Sequence, residues 1–287
     1  MIRVSPECYP CFLRQADLAA RACGAPDDLR TALALRVSRL LGEVSPEEVP
    51  AHVATRILAL AREVLRTDDP YRFAKDREFE RFPEVARRAE RRVAAAADPL
   101  AAALWLSAFG NIMDSGLVDR EVMEREAFRP DAGVLGRTIP YRLLHAILSA
   151  RTVGVLLDNA GEAAYDVPLL SRLAADGREL WLGVKGGAVL DDLTDGEAFR
   201  IGLSRLGAIV SNGNRGVGTD LSAVSPEFRK RLAASDLLLV KGQANFETLY
   251  GKVPNAYFLL RVKCPVLSRF LGRPVGETVL LWDGGAA

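Results

Sequence analysis

The sequence predicts an α/β protein: a three-layer, Rossmann-like fold with a mainly parallel sheet, preceded by an all-helical region. In the first third of the chain, apolar residues recur every three or four positions, as in LRTALALRVSRLLGEV and VATRILALAREVLRT, a pattern typical of amphipathic helices. Beyond residue 150, short apolar runs alternate with helical patterns, as in parallel sheets covered by helices on both faces. The two patterns predict a helical subdomain at 1–100 and an α/β domain at 101–287.

Six apolar runs are the candidate strands of this sheet. In chain order they read TVGVLLD, ELWLGVK, GAIVSN, DLLLVKG, AYFLLRV and TVLLWD. Helical patterns fill most of the gaps between them, so right-handed crossovers are expected to join the parallel strands.

Composition and charge argue against several classes of protein. The 38 Lys and Arg residues nearly balance the 37 Asp and Glu residues, so no basic excess predicts nucleic-acid binding. No apolar stretch approaches the length of a membrane span, and the first residues lack the apolar core of a secretory signal. We therefore expect a cytoplasmic protein that binds neither nucleic acid nor membrane; its oligomeric state stays open.

Polar side chains cluster where the first two candidate strands end. Asp158 and Asn159 follow TVGVLL, and Glu162 opens the next helical pattern. Lys185 and Asp192 come after ELWLGV. Ligands bind outside the carboxyl ends of parallel strands, where successive loops meet. These side chains are therefore candidates for a ligand site, although Asp and Asn are also common helix caps.

Two lysines and a glycine-rich turn extend this group. The tripeptide Val-Lys-Gly closes two strands and places Lys185 and Lys241 at one predicted edge, although the chain holds only six lysines. The turn SNGNRGVGTDL, which contains Gly213, follows a third strand, and free backbone N–H groups of such a turn can cradle an anion. Asn111 and Asp114 lie near the junction of the two regions, a favoured place for pockets.

This combination of residues favours phosphate chemistry with a metal. Carboxylate and amide oxygens without thiolate or imidazole suit Mg²⁺ or Mn²⁺ better than Zn²⁺. A divalent cation and lysines together stabilise the charge of a phosphoryl group during its transfer. Two other classes stay open on the residues alone: a transferase with a cofactor such as S-adenosylmethionine, and a non-catalytic module that binds phosphorylated metabolites.

Six motifs occur in one order along nearly the whole chain: SPECYPCFLRQA, DPYRFAK, GNIMDSG, LDNAGEAAYD, VKGGAVLDDLT and KGQANFE. In this order they resemble the damage-control phosphatase family, and within it the bacterial and archaeal branch with an N-terminal CxxC. The resemblance implies a metal-dependent phosphatase that hydrolyses phosphate monoesters of small metabolites, with damaged and sugar-type metabolites as the candidates. The expected cofactor is a divalent cation: Mg²⁺, Mn²⁺, Co²⁺ or Ni²⁺.

The resemblance also implies roles by motif position. The metal ligands fall on Asp158, Asn159 and Asp192, and Lys241 contacts the phosphate. The pocket is completed by Asn111 and Asp114.

One motif departs from the family pattern. Close relatives tend to read Pro-x-Leu-Asn-Asp, whereas this chain has AVLDD, so Ala188 replaces a proline and Asp191 an asparagine. The extra carboxylate leaves a choice of ligand between Asp191 and Asp192. We choose Asp192 because it aligns with the second acid of the motif.

The catalytic hypothesis assigns the reaction to Asp158, Lys241 and Glu162. Asp158, Asn159 and Asp192 would hold a cation that supplies positive charge and activates water, while Lys241 and Lys185 would stabilise the transferred group. Glu162 is the candidate that positions the water, and Gly213 is a further candidate for phosphate binding. Direct attack by water and attack by Asp158 to give an aspartyl-phosphate both stay open.

The cysteines allow two interpretations. Cys8 and Cys11 have redox-motif spacing, but no strand precedes them as in a thioredoxin site. Together with Cys264 they could form a thiolate cluster or a structural bridge. Alternatively, they are buried thiols that pack as small apolar groups.

Overall fold

The structure is a computed structural model that describes residues 2–111, 124–125, 128 and 137–283. Its strands are β1 (Thr152–Leu156), β2 (Glu179–Val184), β3 (Ala208–Ser211), β4 (Leu237–Lys241), β5 (Ala256–Arg261) and β6 (Thr278–Trp282). The helices described are α1 (Cys8–Ala22), α2 (Asp27–Leu41), α3 (Pro50–Leu65), α4 (Arg72–Ala94), α5 (Pro99–Gly110), α6 (Tyr141–Ser149), α7 (Ala163–Ala175), α8 (Asp195–Arg200), α9 (Pro226–Ala234), α10 (Gln243–Leu249) and α11 (Pro265–Leu271). None of these helices combines the length and the hydropathy that a bilayer span requires.

The six strands form one sheet in the order β3-β2-β1-β4-β5-β6. All neighbouring strands are parallel except β5 and β6, which pair antiparallel. Chain order therefore reverses between β1 and β4, and the loops at the carboxyl ends of these two strands leave a crevice. The fold class predicted from the sequence is confirmed, and each of the six candidate strands forms.

Side chains alternate along the strands and fill a separate core on each face of the sheet. Val155 and Leu239 belong to the core that α4, α5, α6 and α7 cover. Trp181 and Leu238 belong to the core on the other face, under α9, α10 and α11. Burial on both faces explains why these strands read as continuous apolar runs.

Helices α1, α2 and α3 pack around a core of their own, which includes Phe12 and Ile57. Val189 and Val217, from the loops after β2 and β3, join this core, so the three helices cover the carboxyl end of the sheet. The apolar side chains of α4 instead join the sheet core. The domain boundary at residue 100 stays a prediction, and the packing of α4 on the sheet makes the separate helical core shorter than residues 1–100.

Candidate active site

Two main-chain segments meet at the crevice, and hydrogen bonds join them. The segment after β1 and the loop after β2 form an antiparallel bridge between Asn159 and Asp192. The Leu193 N–H donates to the carbonyl oxygen of Asp158 at 2.9 Å. The backbone therefore brings together the three predicted metal ligands, Asp158, Asn159 and Asp192.

These three side chains are at most 7% exposed, and they line a cavity of about 220 Å³ between the sheet and helices α1 and α3. Burial, together with the charges of Glu162 and Asp192, raises the pKa of the Asp158 carboxyl well above its ordinary value. Burial also raises the pKa of Asp192, against the opposing charge of Lys185. At this end of the cavity, which we call its head, burial and the neighbouring carboxylates thus disfavour the charged form of Asp158 and Asp192, while Lys185 and Lys263 favour the charged form of Asp158.

The donor set fits a hard divalent cation. Carboxylate and amide oxygens are the ligands that Mg²⁺ and Mn²⁺ prefer, and a cation would offset the repulsion that raises the pKa of Asp158. Within the described residues, no group of three His, Cys, Asp or Glu side chains could hold a metal ion. The Asn159 amide would be the third oxygen donor beside Asp158 and Asp192, and the metal site stays a prediction.

Asn111, at the end of α5, donates hydrogen bonds to the carboxylates of both Asp158 and Glu162. Its Nδ2 donates to Asp158 Oδ2 at 2.9 Å and to Glu162 Oε1 at 2.7 Å. Its Oδ1 accepts from the Arg261 N–H at 3.1 Å. Asn111 is fully buried and orients Asp158 without lining the cavity. Asp114, predicted beside it, lies outside the described residues.

Lys241 is fully buried between two carboxylates beneath the site. Its Nζ lies 2.7 Å from Glu162 Oε2 and 2.6 Å from Asp166 Oδ1. Although burial disfavours the ammonium form, Asp166 and Glu162 raise the pKa of Lys241. Both oxygens of Glu162 are thus engaged, one by Asn111 and one by Lys241. The phosphate contact of Lys241 and the water-positioning role of Glu162 stay predictions.

Asp166 and Ser107 extend this buried network, and neither is among the site residues predicted from the sequence. Ser107 Oγ donates to Asp166 Oδ1 at 2.6 Å, and burial raises the pKa of Asp166 to about 6 while Lys241 opposes the rise. One feature of the sequence could have indicated a role for Asp166. It lies four positions after Glu162, a spacing that places both carboxylates on one helical face.

Lys185 lies on the other side of the site, beside Asp192. Its Nζ is 3.3 Å from Asp192 Oδ2. It also donates to the carbonyl oxygen of Gly216 at 2.9 Å and to that of Gly218. The glycine-rich turn therefore surrounds a lysine with carbonyl oxygens and holds it near a predicted metal ligand.

The expectation that the amides of this turn are free is wrong. The N–H groups of Gly213, Asn214 and Gly216 donate to side-chain oxygens two positions earlier in the turn, and the Val217 N–H donates to Thr55 Oγ1. Asn and Ser side chains commonly bond backbone N–H groups at this spacing, so they occupy the donors that an anion needs. Gly213 does not line the cavity, and its predicted role in phosphate binding gains no support from these contacts.

Gly242 allows β4 to approach the head of the cavity closely. Its φ is +84°, and a Cβ at this position would lie 2.0 Å from Asp158 Oδ2. Glycine therefore meets two requirements here, the left-handed backbone and the space that the Asp158 carboxylate occupies.

Cys8, Cys11 and Cys264 also line the cavity. All four cysteines of the chain carry free thiols, and the three cavity cysteines do not form a group that could hold a metal ion. Burial raises the pKa of both Cys8 and Cys11 and so favours the neutral thiol. These observations favour packed thiols over a thiolate cluster or a bridge.

The fold and the site together define a doubly wound α/β protein with a buried, oxygen-rich centre at the switch point of its sheet. A family model described as the damage-control phosphatase ARMT1-like domain matches residues 4–279. The chain belongs to this family, which confirms the resemblance that the ordered motifs indicate.

Individual relatives agree with this assignment over their full length. The chain is similar to a damage-control phosphatase of Archaeoglobus fulgidus, with 30% identity over 283 residues that cover 97% of this chain and 98% of the relative. A damage-control phosphatase of Pyrococcus horikoshii is 28% identical, with 98% of both chains covered. A crystal structure of a DUF89 family protein from Pyrococcus horikoshii superposes with a TM-score of 0.87 at 27% identity, covering 99% of this chain and 100% of that chain.

Proposed function

We propose that this chain is a metal-dependent phosphatase that hydrolyses phosphate monoesters of small metabolites. The observation that carries the proposal is the group of buried oxygens at the head of the cavity, where Asp158, Asn159 and Asp192 lie together and burial and neighbouring carboxylates raise the pKa of Asp158. Membership of the damage-control phosphatase family, and the names of the relatives from Archaeoglobus and Pyrococcus, support the phosphatase activity.

In this proposal Asp158, Asn159 and Asp192 hold a divalent cation, with Mg²⁺, Mn²⁺, Co²⁺ and Ni²⁺ as the candidates. When bound, such a cation supplies positive charge for the phosphate oxygens and lowers the pKa of a water molecule. The chain supplies a second positive charge beside Asp192 through Lys185. The two charges together suit a phosphate dianion better than either one alone.

The residues behind the cavity keep the carboxylates in place. Asn111 donates to Asp158 and Glu162 at once, so it fixes the orientation of Asp158. Lys241 offsets the charge of Glu162 from below, which limits the repulsion between Glu162 and Asp158. Asp158 is thereby held ready as a metal ligand and, in the covalent route, as the nucleophile.

The remainder of the cavity suits the organic part of a small phosphate ester. Its volume of about 220 Å³ leaves room for a small metabolite, and its walls include Phe12, Ala54 and Val217. The phosphate would lie at the carboxylate end, where Asp158, Asn159 and Asp192 line the cavity and Lys185 contacts Asp192 from behind its lining. Helices α1 and α3 would then contact the rest of the substrate and contribute to its selection.

The decisive experiment measures release of inorganic phosphate from p-nitrophenyl phosphate and from a panel of sugar phosphates. The protein is first treated with a chelator, and Mg²⁺, Mn²⁺, Co²⁺ or Ni²⁺ is then added back. Parent protein is compared with Asp158→Asn, and Asp191→Asn serves as a control that changes a neighbouring acid. We expect metal-restored turnover in the parent and in Asp191→Asn, and none in Asp158→Asn.

Two outcomes would contradict the proposal. If the parent showed no turnover with any of the four metals, the chain would not be a metal-dependent phosphatase for this class of substrate. If Asp158→Asn kept the activity of the parent, the reaction would lie elsewhere in the molecule.

A further inference from the structure

Lys75 lies in the motif DPYRFAK and is neither among the predicted site residues nor part of the proposed reaction. The side chain leaves α4 and is only 1% exposed. Its Nζ lies 2.8 Å from Asp69 Oδ2 and 2.8 Å from Glu197 Oε1. A lysine this deeply buried is uncommon unless it is paired, and here two carboxylates hold one ammonium group.

Glu197 connects Lys75 to the loop that carries Asp192. It occupies the third position of α8, where its Oε2 accepts from the Thr194 N–H at 2.9 Å and from Thr194 Oγ1 at 2.8 Å. Thr194 Oγ1 in turn accepts from the Glu197 N–H, which completes a capping box. The Glu197 carboxylate thus pairs with Lys75 through Oε1 and with Thr194 through Oε2. Thr194 caps the start of α8 and lies two residues after Asp192.

The same loop is attached to the sheet from its other side. The Leu193 N–H donates to the Asp158 carbonyl oxygen at 2.9 Å, and the Lys185 N–H donates to the Leu193 carbonyl oxygen at 3.0 Å. The Asp195 N–H donates to the Lys185 carbonyl oxygen at 3.1 Å. The segment at 192–197 is therefore held between the sheet, through these backbone bonds, and α4, through Lys75.

Asp69 fixes the Lys75 ammonium from the side of α4. Its Oδ1 accepts from the Tyr71 N–H at 3.0 Å, while its Oδ2 pairs with Lys75. Burial disfavours the ammonium form, but Glu197 and Asp69 together raise the pKa of Lys75, so Lys75 stays charged at neutral pH. Tyr71 itself lines the cavity, and the motif therefore links a cavity wall to the Asp192 loop.

We propose that Lys75 is a positioning residue that holds the 192–197 segment, and with it Asp192, at the head of the cavity. Lys75 does not line the cavity and acts through Glu197. The proposal rests on the proposed function only in treating Asp192 as a metal ligand, because the contacts that hold the segment are all between protein atoms.

The chain contains a matched control for this inference. Arg200 on α8 pairs with Asp76 on α4 at 2.6 Å, with side chains 56% and 35% exposed. This pair joins the same two helices as Lys75 and Glu197, but it lies at the surface. Loss of a surface ion pair leaves most structures unchanged, so Arg200→Gln tests whether any contact between α4 and α8 has the same effect.

The experiment compares hydrogen exchange in the parent, Lys75→Met and Arg200→Gln, all freed of metal. We expect faster exchange at Leu193 and Asp195 in Lys75→Met, with the strands protected as in the parent, and no local change in Arg200→Gln. Titration with Mn²⁺ is the second measurement. Loss of a group that orients a metal ligand weakens metal binding by about 10–100-fold, and we expect this for Lys75→Met alone.

A purely structural role for Lys75 predicts a different result. It would lower the unfolding midpoint of Lys75→Met while leaving local exchange and the half-saturating Mn²⁺ concentration as in Arg200→Gln, and this result would overturn the proposal. Glu197→Gln is the second variant if Lys75→Met does not fold, because glutamine also supports a capping box but does not attract Lys75. We expect the same local exchange and weaker Mn²⁺ binding from it.

The two proposals fail separately. A parent that releases no phosphate with any metal would refute the phosphatase assignment, and the exchange at Leu193 and Asp195 would still decide the role of Lys75. A parent with metal-dependent turnover, and a Lys75→Met variant with parental exchange and Mn²⁺ affinity, would refute the positioning role alone.

Discussion

Replacement of Lys241 by methionine tests the buried charge network beneath the site. Methionine keeps much of the length and apolar character of lysine but removes the ammonium that lies 2.7 Å from Glu162 and 2.6 Å from Asp166. The three side chains are at most 2% exposed, so solvent does not replace the lost charge. Two buried carboxylates would then remain without their shared cation.

The magnitude follows from the burial of the pair. Removing one partner of a buried ion pair costs about 3–5 kcal/mol of unfolding free energy. Burial raises the pKa of Asp166 to about 6 even with Lys241 present, and the loss of Lys241 raises it further. Protonation of Asp166 therefore relieves part of the cost at low pH. We expect a loss near 3 kcal/mol at pH 6 and near 5 kcal/mol at pH 8, values on the order of the cited range.

Urea unfolding followed by circular dichroism, at both pH values, provides the measurement. The matched control is Lys230→Met, which makes the same substitution at an exposed position of α9 and is expected to change the free energy by about 0.5 kcal/mol or less. Equal losses for the two variants would refute the argument that Lys241 stabilises a buried network. A larger loss at pH 6 than at pH 8 would refute the assigned role of Asp166.

Three further predictions concern the cavity. Gly242→Ala is expected to abolish metal binding, because the new Cβ would lie 2.0 Å from Asp158 Oδ2. Gly251→Ala is the control: its φ is also positive, at +76°, but no atom lies within 4 Å of the new Cβ, so metal binding should be retained. Calorimetric titration with Mn²⁺ measures both. Asp192→Asn should lose metal-restored phosphatase activity while Asp191→Asn keeps it, and the opposite pattern would move the ligand to Asp191. Burial raises the pKa of Glu247 to about 7 from an ordinary value of 4.5. At a pH between these two values, Glu247 is protonated in the folded state and ionised in the unfolded state. Parent stability must therefore fall as pH rises through that window, and Glu247→Gln should gain up to about 3 kcal/mol on the parent between pH 4.5 and 8; parallel denaturation curves across this range would contradict it.

The sheet and the positions of its ligand candidates were readable from local patterns. The strands are buried on both faces and therefore appear as apolar runs, and in a parallel sheet the residues after such runs converge on one edge. The apolar runs therefore predict that Asp158, Asn159 and Asp192 lie close together. In the structure a backbone bridge joins Asn159 to Asp192.

Local sequence patterns do not predict which buried charges pair with each other. Lys241 and Asp166 lie 75 positions apart, and a sequence shows the charge of each residue without showing which charge it meets. The prediction that the amides of the glycine-rich turn are free was wrong for a different reason. Its pattern indicates a turn, but whether its amides are free depends on side chains such as Asn212 and Asn214 folding back onto them.

The bridge between the two ligand segments has a consequence for engineering. The Leu193 N–H donates to the Asp158 carbonyl oxygen, and the Ala160 N–H donates to the Asp191 carbonyl oxygen, so main-chain hydrogen bonds join the two segments directly. A change of side chain leaves these bonds in place. If Asp158, Asn159 and Asp192 bind a metal, Asp158→His or Asp192→Cys would present softer donors, which suit Zn²⁺, from the same backbone positions. The choice of metal could then be altered without rebuilding the fold.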